Sequence, residues 1–211
     1  MTVVGTALLG SVTGALAGDV SQNFYVNGDV GAIFQQDARF SQTAEPTLNA
    51  SFNPGIRADI AIGYNLSQNF ALELEPGFTW NSVDTLDGRQ LFAGESIDLY
   101  SVPILVNAIF KFPTSTGWTP YLGAGIGPDI GFFDGSLPGS TYTDTDVSFA
   151  FQGEAGVKYA LSEHASVGLA YKFLGTTDQD YTLPMSPTYT DKASFHNVYI
   201  HGIFVNFTAN F

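Results

Sequence analysis

Apolar and polar side chains alternate one for one over most of the chain from residue 23 onward. In "NFYVNGDVGAIFQ", Phe24, Val26, Gly28, Val30, Ala32 and Phe34 share one face, while Asn27, Asp29, Gly31 and Gln35 share the other. Period two is the strand repeat, because successive Cβ atoms point to opposite sides of a pleated backbone. The pattern returns in "GIRADIAIGYN", "ALELEPGFTW", "LYSVPILVNAIFKF", "WTPYLGAGIGPDIGFF", "FAFQGEAGVKYAL", "SVGLAYKF" and the closing segment from Tyr199 to Phe211. Eight strands are predicted. No amphipathic helical period, domain boundary or longer repeat follows the N-terminal segment.

The connections alternate in length. Three are short (67–69, 113–117 and 162–164) and four are long (roughly 36–55, 81–97, 134–146 and 175–194). Antiparallel strands with short turns at one end and long loops at the other predict an all-β, up-and-down transmembrane barrel. A soluble barrel also alternates, so the height of the rings along the apolar face is the better discriminator. Phe24, Tyr64, Phe70, Phe110, Phe112, Trp118, Tyr159, Phe207 and Phe211 fall at the short-turn end. Phe34, Phe78, Trp80, Tyr100, Phe132, Phe149, Phe151, Phe173 and Tyr199 fall at the long-loop end, with Val, Ile, Leu, Ala and Gly between the two sets. An aliphatic belt between two aromatic girdles is the surface a bilayer selects.

Composition agrees. Of 211 residues, 45% are hydrophobic and only 13% charged, against roughly 25% charged in a soluble domain. The net charge of −13 argues against nucleic acid, which selects Lys/Arg patches. The absence of Cys excludes disulfides, thiolate metal sites and thiol catalysis. An uncharged apolar run from Val3 to Ala17 ends in the A-x-A-like Ala15-Leu16-Ala17. It predicts a signal peptide over 1–18 and a barrel domain over 19–211, although the usual basic start is missing.

"GYNLSQNFALELEPGF", "VPILVNAIFKF", "PYLGAGIG" with "FFD" after it, and the terminal Phe carry a resemblance over about 23–211. In this order they resemble the small eight-stranded outer-membrane barrels, the OmpA/OmpX/Opa-like group with OmpW-like features. The resemblance implies the outer membrane of a bacterium, a monomer among outer-membrane lipid and lipopolysaccharide, and recognition of Phe211 by the barrel-assembly machinery. It also implies an extracellular ligand bound through the loops.

The face opposite the rings carries six acids (Asp29, Asp59, Glu73, Glu75, Asp129 and Glu154) and four bases (Arg57, Lys111, Lys158 and Lys172). An eight-stranded barrel is just wide enough for side chains to fill it, and charges there need partners. Two readings follow: a salt-bridged plug, or a narrow gated path with inward glycines leaving room. The long loops carry twelve acids against Arg39, Arg89 and Lys192, which predicts an acidic outer surface. Asp144/Asp146 and Asp178/Asp180 have a spacing that can hold a hard cation, but no complete calcium loop surrounds them, so no metal is expected.

Pro76, Pro103, Pro120 and Pro128 fall inside predicted strands, where Pro removes a ladder donor. Pro76, Pro103 and Pro128 map to one end of three neighbouring strands, as local bulges or as a gap in the ladder. OmpW-like barrels are associated with sideways release of small hydrophobic molecules, which such a gap would suit. Other small barrels are lipid A-modifying enzymes with His/Ser/acid sites. Here His164, His196 and His201 are scattered, and no catalytic set or cofactor is expected. The expected function is structural or surface-interacting, with a narrow transporter as the alternative and a lipid A-modifying enzyme third.

Overall fold

A computed structural model of the chain describes residues 23–42, 47–91, 94–137, 140–186, 189–196 and 198–211. The expected signal peptide, 1–18, and the loop acid Glu45 lie outside the described residues. The strands in chain order are β1 (Phe24–Gln35), β2 (Ala38–Gln42), β3 (Leu48–Phe52), β4 (Gly55–Asn65), β5 (Phe70–Leu86), β6 (Arg89–Gln90) and β7 (Ser96–Lys111). They continue as β8 (Trp118–Leu137), β9 (Ser140–Ala160), β10 (Ala165–Thr176), β11 (Gln179–Ser186), β12 (Tyr189–His196) and β13 (Val198–Asn210).

Eight of these are barrel staves. β1, β4, β5, β7, β8, β9, β10 and β13 pair antiparallel in that order, and β13 returns to β1. Closure leaves no free strand edge, which a spanning sheet requires because lipid offers backbone groups no partner. At the seam Tyr25 opposes Asn210, and the Phe211 amide donates to the Phe24 carbonyl at 3.0 Å.

The alternation places side chains as the pleat dictates. Val30, Ile60, Ile62, Leu74, Val106, Ile126, Leu169, Ile203 and Val205 are exposed on the outside. Rings bracket this belt in contact pairs: Phe24–Tyr64, Phe110–Phe112 and Trp118–Tyr159 at the short-turn end, Phe78–Tyr100 and Phe151–Phe173 at the other. The inside is less polar than the sequence pattern predicts. Tyr25, Ile33, Leu105, Ile109, Tyr121, Leu174 and Phe204 are buried there among the charges. Inward glycines make room for these bodies. A Cβ on Gly63 would lie 2.1 Å from the Tyr25 ring, and one on Gly156 would lie 2.6 Å from Tyr121.

The long connections, expected as loops, are strand for much of their length. β2, β3, β11 and β12 and the upper parts of β5, β7, β8 and β9 carry the wall beyond the outer girdle. β12 pairs β2 in the register that β13 holds with β1, so two staves continue outward as one ribbon. β5 turns into β6 through Asp87 and Gly88, both at positive φ, in the two-residue hairpin those residue types favour. The periodicity hid these strands because segments such as "TYTDTDVS" are polar on both faces. The core continues into this outer extension, where Phe40, Phe133, Tyr181 and Phe195 meet at centroid distances of 5.0–6.3 Å.

Candidate functional site

Midway along the lumen the inward charges meet. Lys172 Nζ on β10 lies 3.1 Å from Asp29 (β1), 3.0 Å from Asp59 (β4) and 3.0 Å from Glu75 (β5). Arg57 donates to Asp59 at 2.7 Å and to Glu75 at 3.1 Å, and the Gln152 amide donates to Glu75 at 3.0 Å. All five ionic side chains are about 1% exposed or less. Asp29, Asp59 and Glu75 converge as metal ligands would, but the ammonium of Lys172 occupies the centre of the set.

The other five inward charges are bound differently. Glu73 accepts from the Tyr25 hydroxyl at 2.6 Å, and Asp129 accepts from the Gln179 amide at 3.2 Å. Glu154 is buried, its Oε1 unpartnered among the described residues. Lys158 donates to Asn27 Oδ1 at 3.2 Å and Lys111 to Asn65 Oδ1. Their ammoniums lie 5.6 and 5.4 Å from the centre of the Tyr25 ring. Neither lysine has a carboxylate within 4.0 Å among the described residues. These two lysines line a cavity of about 320 Å³ at the short-turn mouth, between Tyr25 and Tyr121.

The prolines coincide with interruptions in three adjacent ladders. The β4–β5 pairing runs to Asp59–Gly77 and resumes at Ile62–Leu74, skipping Pro76. β5–β7 runs to Pro76–Ile104 and resumes at Thr79–Ser101, skipping Pro103. β7–β8 runs to Pro103–Asp129 and resumes at Val106–Ile126, skipping Pro128. The register on either side is unchanged, so these are missing bonds rather than bulges. Pro120 interrupts nothing in its β8–β9 ladder. A cavity near Thr79, Ser101 and Asp129 holds only about 20 Å³, room for roughly one water.

The loop acids have structural partners. Asp144 and Asp146 on β9 accept the backbone N–H groups of Thr182 and Asp180 at 2.5 and 3.0 Å, so side chains join β9 to β11 where no ladder does. Asp180 accepts from Ser194 at 2.5 Å. Asp178 meets His196 Nδ1 at 2.8 Å, and His196 Nε2 lies 2.9 Å from Ser41 Oγ. Sequence reasoning missed this Ser41–His196–Asp178 chain because its members lie on segments far apart and only the β2–β12 register joins them. Burial raises the Tyr181 phenol's pKa, with Asp129, Asp146 and Asp144 adding to the shift. His201, near the outer girdle, bonds Tyr171 and Gln36.

The family model for the outer membrane protein β-barrel domain matches residues 4–211. The chain is 24% identical over 178 residues to outer membrane protein PagN of Salmonella typhimurium, covering 72% of this chain and 74% of that protein. The crystal structure of OprG from Pseudomonas aeruginosa superposes with a TM-score of 0.67 at 16% identity, covering 90% of this chain and 96% of that one. The solid-state NMR structure of AlkL in lipid bilayers gives 0.57 at 16% identity, covering 94% of each chain. Both likenesses speak to the fold. With the closed eight-stave barrel and its two girdles, the matches place the protein in the bacterial outer membrane, and the chain belongs to the outer-membrane β-barrel protein family.

Proposed function

We propose that this barrel is a sealed outer-membrane protein of structural or surface-interaction type, working through its outer extension rather than its lumen. The observation that carries the reading is the five-membered ion network around Lys172. A permeating ion would have to displace a cation held by three buried carboxylates, and separating such a network leaves uncompensated buried charge at a cost of several kcal/mol. Above it, the rings of Phe40, Phe133, Tyr181 and Phe195 fill the tube. Planar-bilayer recording of the purified protein tests this: no steady conductance above the lipid baseline is expected, and a reproducible single-channel step overturns it.

The partners follow from the same surfaces. The girdles and aliphatic belt contact lipid and lipopolysaccharide, Phe211 addresses the barrel-assembly machinery, and the acidic extension meets a cationic extracellular ligand. No cofactor or nucleic acid is involved, and the protein is a monomer. A second reading, a narrow transporter for small hydrophobic molecules or ions, is favoured by the three interrupted ladders. It is disfavoured by size, since the cavity beside them holds about 20 Å³ and small-molecule sites span about 300 Å³ or more.

A further inference from the structure

The outer wall of the extension carries one arrangement that neither a plug nor a docking surface requires. Phe40 and Phe195 point into the tube, so their neighbours Ser41, Ser194 and His196 stand on the outside of β2 and β12. Ser41 Oγ and His196 Nε2 are 2.9 Å apart, and the other ring nitrogen, Nδ1, is 2.8 Å from Asp178 Oδ2. With Nδ1–H donated to the carboxylate, Nε2 carries the lone pair and accepts the Ser41 hydroxyl. That is the hydrogen-bond order of an activated serine: nucleophile, base, orienting acid. Arg39 lies opposite His196 in the β2–β12 register and is exposed on the same face as Ser41.

We propose that Ser41, His196 and Asp178 form a serine hydrolase site on the outer face of the barrel, acting on water-accessible carboxylic esters. Arg39 is the cation that register and face put beside the developing oxyanion. The height sets the substrate class. His196 lies five residues outward of the girdle position His201, a span of at most ~17 Å at ~3.4 Å per residue. This is the aqueous side of the interface rather than the acyl layer. The side chains of His196 and Asp178 are 32% and 56% exposed, so an ester reaches them without a channel.

The chemistry balances without a cofactor. His196 Nε2 takes the Ser41 proton as Oγ attacks the ester carbonyl carbon. The C–O bond to the alcohol breaks and His196 gives that proton to the leaving alkoxide, leaving an acyl-Ser41 ester. Water then attacks the acyl carbon, passes a proton to His196, and Ser41 leaves as alkoxide and recovers it. The products are a carboxylic acid and an alcohol. Asp178 acts through His196, as a positioning residue.

The refolded protein in neutral detergent, reacted with a fluorophosphonate probe and p-nitrophenyl acetate, tests the proposal. Heat-modified gel mobility checks that every variant is folded. The probe is expected on Ser41 by peptide mass mapping, with labelling absent in Ser41→Ala and slowed about 100-fold or more in His196→Gln. Asp178→Asn is expected to slow labelling about tenfold, a modest loss because that carboxylate is half in water. Folded protein whose Ser41 reacts no faster than it does after heat unfolding, or labelling unaffected by His196→Gln, overturns the proposal and leaves the three residues as a cross-strand tie.

Discussion

At the outer end of the tube the rings of Phe40, Phe133, Tyr181 and Phe195 pack across the interior, whereas the short-turn end leaves a cavity of about 320 Å³ between Tyr25 and Tyr121. The walls contrast in the opposite sense. Around the hollow end the backbone ladders run unbroken, but in the outer half three successive ladders lose bonds at Pro76, Pro103 and Pro128. Beyond them, Asp144 and Asp146 stand in for a ladder between β9 and β11. Where the backbone encloses the space by itself, the interior can stay open. Where it does not, side chains fill the tube and tie the wall.

The sharpest break of this contrast is at the network that separates the two ends. Lys172→Met leaves Asp29 without a cation and Asp59 and Glu75 with Arg57 alone, and is expected to cost about 3–5 kcal/mol, read by urea unfolding in lipid vesicles. In the hollow half the packing is tight beneath the tyrosines. Gly63→Ala puts a methyl 2.1 Å from the Tyr25 ring and is expected to cost about 1–3 kcal/mol in the same assay.

The outer wall should respond locally. Asp144→Ala removes the acceptor for the Thr182 amide, costs about 1 kcal/mol, and speeds hydrogen exchange at Thr182 without changing exchange in β10 and β13. Lys158→Met, at the hollow mouth, loses one amide hydrogen bond and two ring contacts, and should cost no more than about 1 kcal/mol. A Lys158 effect as large as that of Lys172 would erase the distinction between plug and mouth.

The smallest expected effect is alkaline. The Tyr181 pKa is raised in the folded extension, so the unfolded segment loses its proton first, near pH 10. The folded form then binds more protons, and stability falls as pH rises above about 10, by roughly half a kcal/mol at the start of the window. Tyr181→Phe abolishes this slope in the exchange protection of β11, if burial holds the phenol neutral.

The staves, the lipid face and both girdles were legible because each outward position follows one rule for the whole height of the membrane. The sign of each lumenal charge was legible too, since Arg57 and Lys172 could point nowhere else. Their partners were not. Lys172 reaches acids on three different staves, and Lys158, which carries the same charge on a neighbouring stave, ends on an amide and two rings. Alternation says which way a side chain points and nothing about what lies across the tube. Inward Tyr25, Tyr121 and Phe204 were hidden for a related reason, because in a chain with a lipid-facing exterior an apolar residue on either face breaks no pattern. Ser41, His196 and Asp178 needed the register of two strands whose polar sequence concealed that they were strands.

The shared register of β1–β13 and β2–β12 has a mechanical consequence. A ligand that tugs outward on β2 or β12 pulls along the axis of the ribbon that also closes the barrel. Force in that direction is a shear carried by the whole row of hydrogen bonds between the two staves at once, not a peel that opens them one at a time. The outer ends of β2 and β12 are thus anchored through the ladder that closes the barrel.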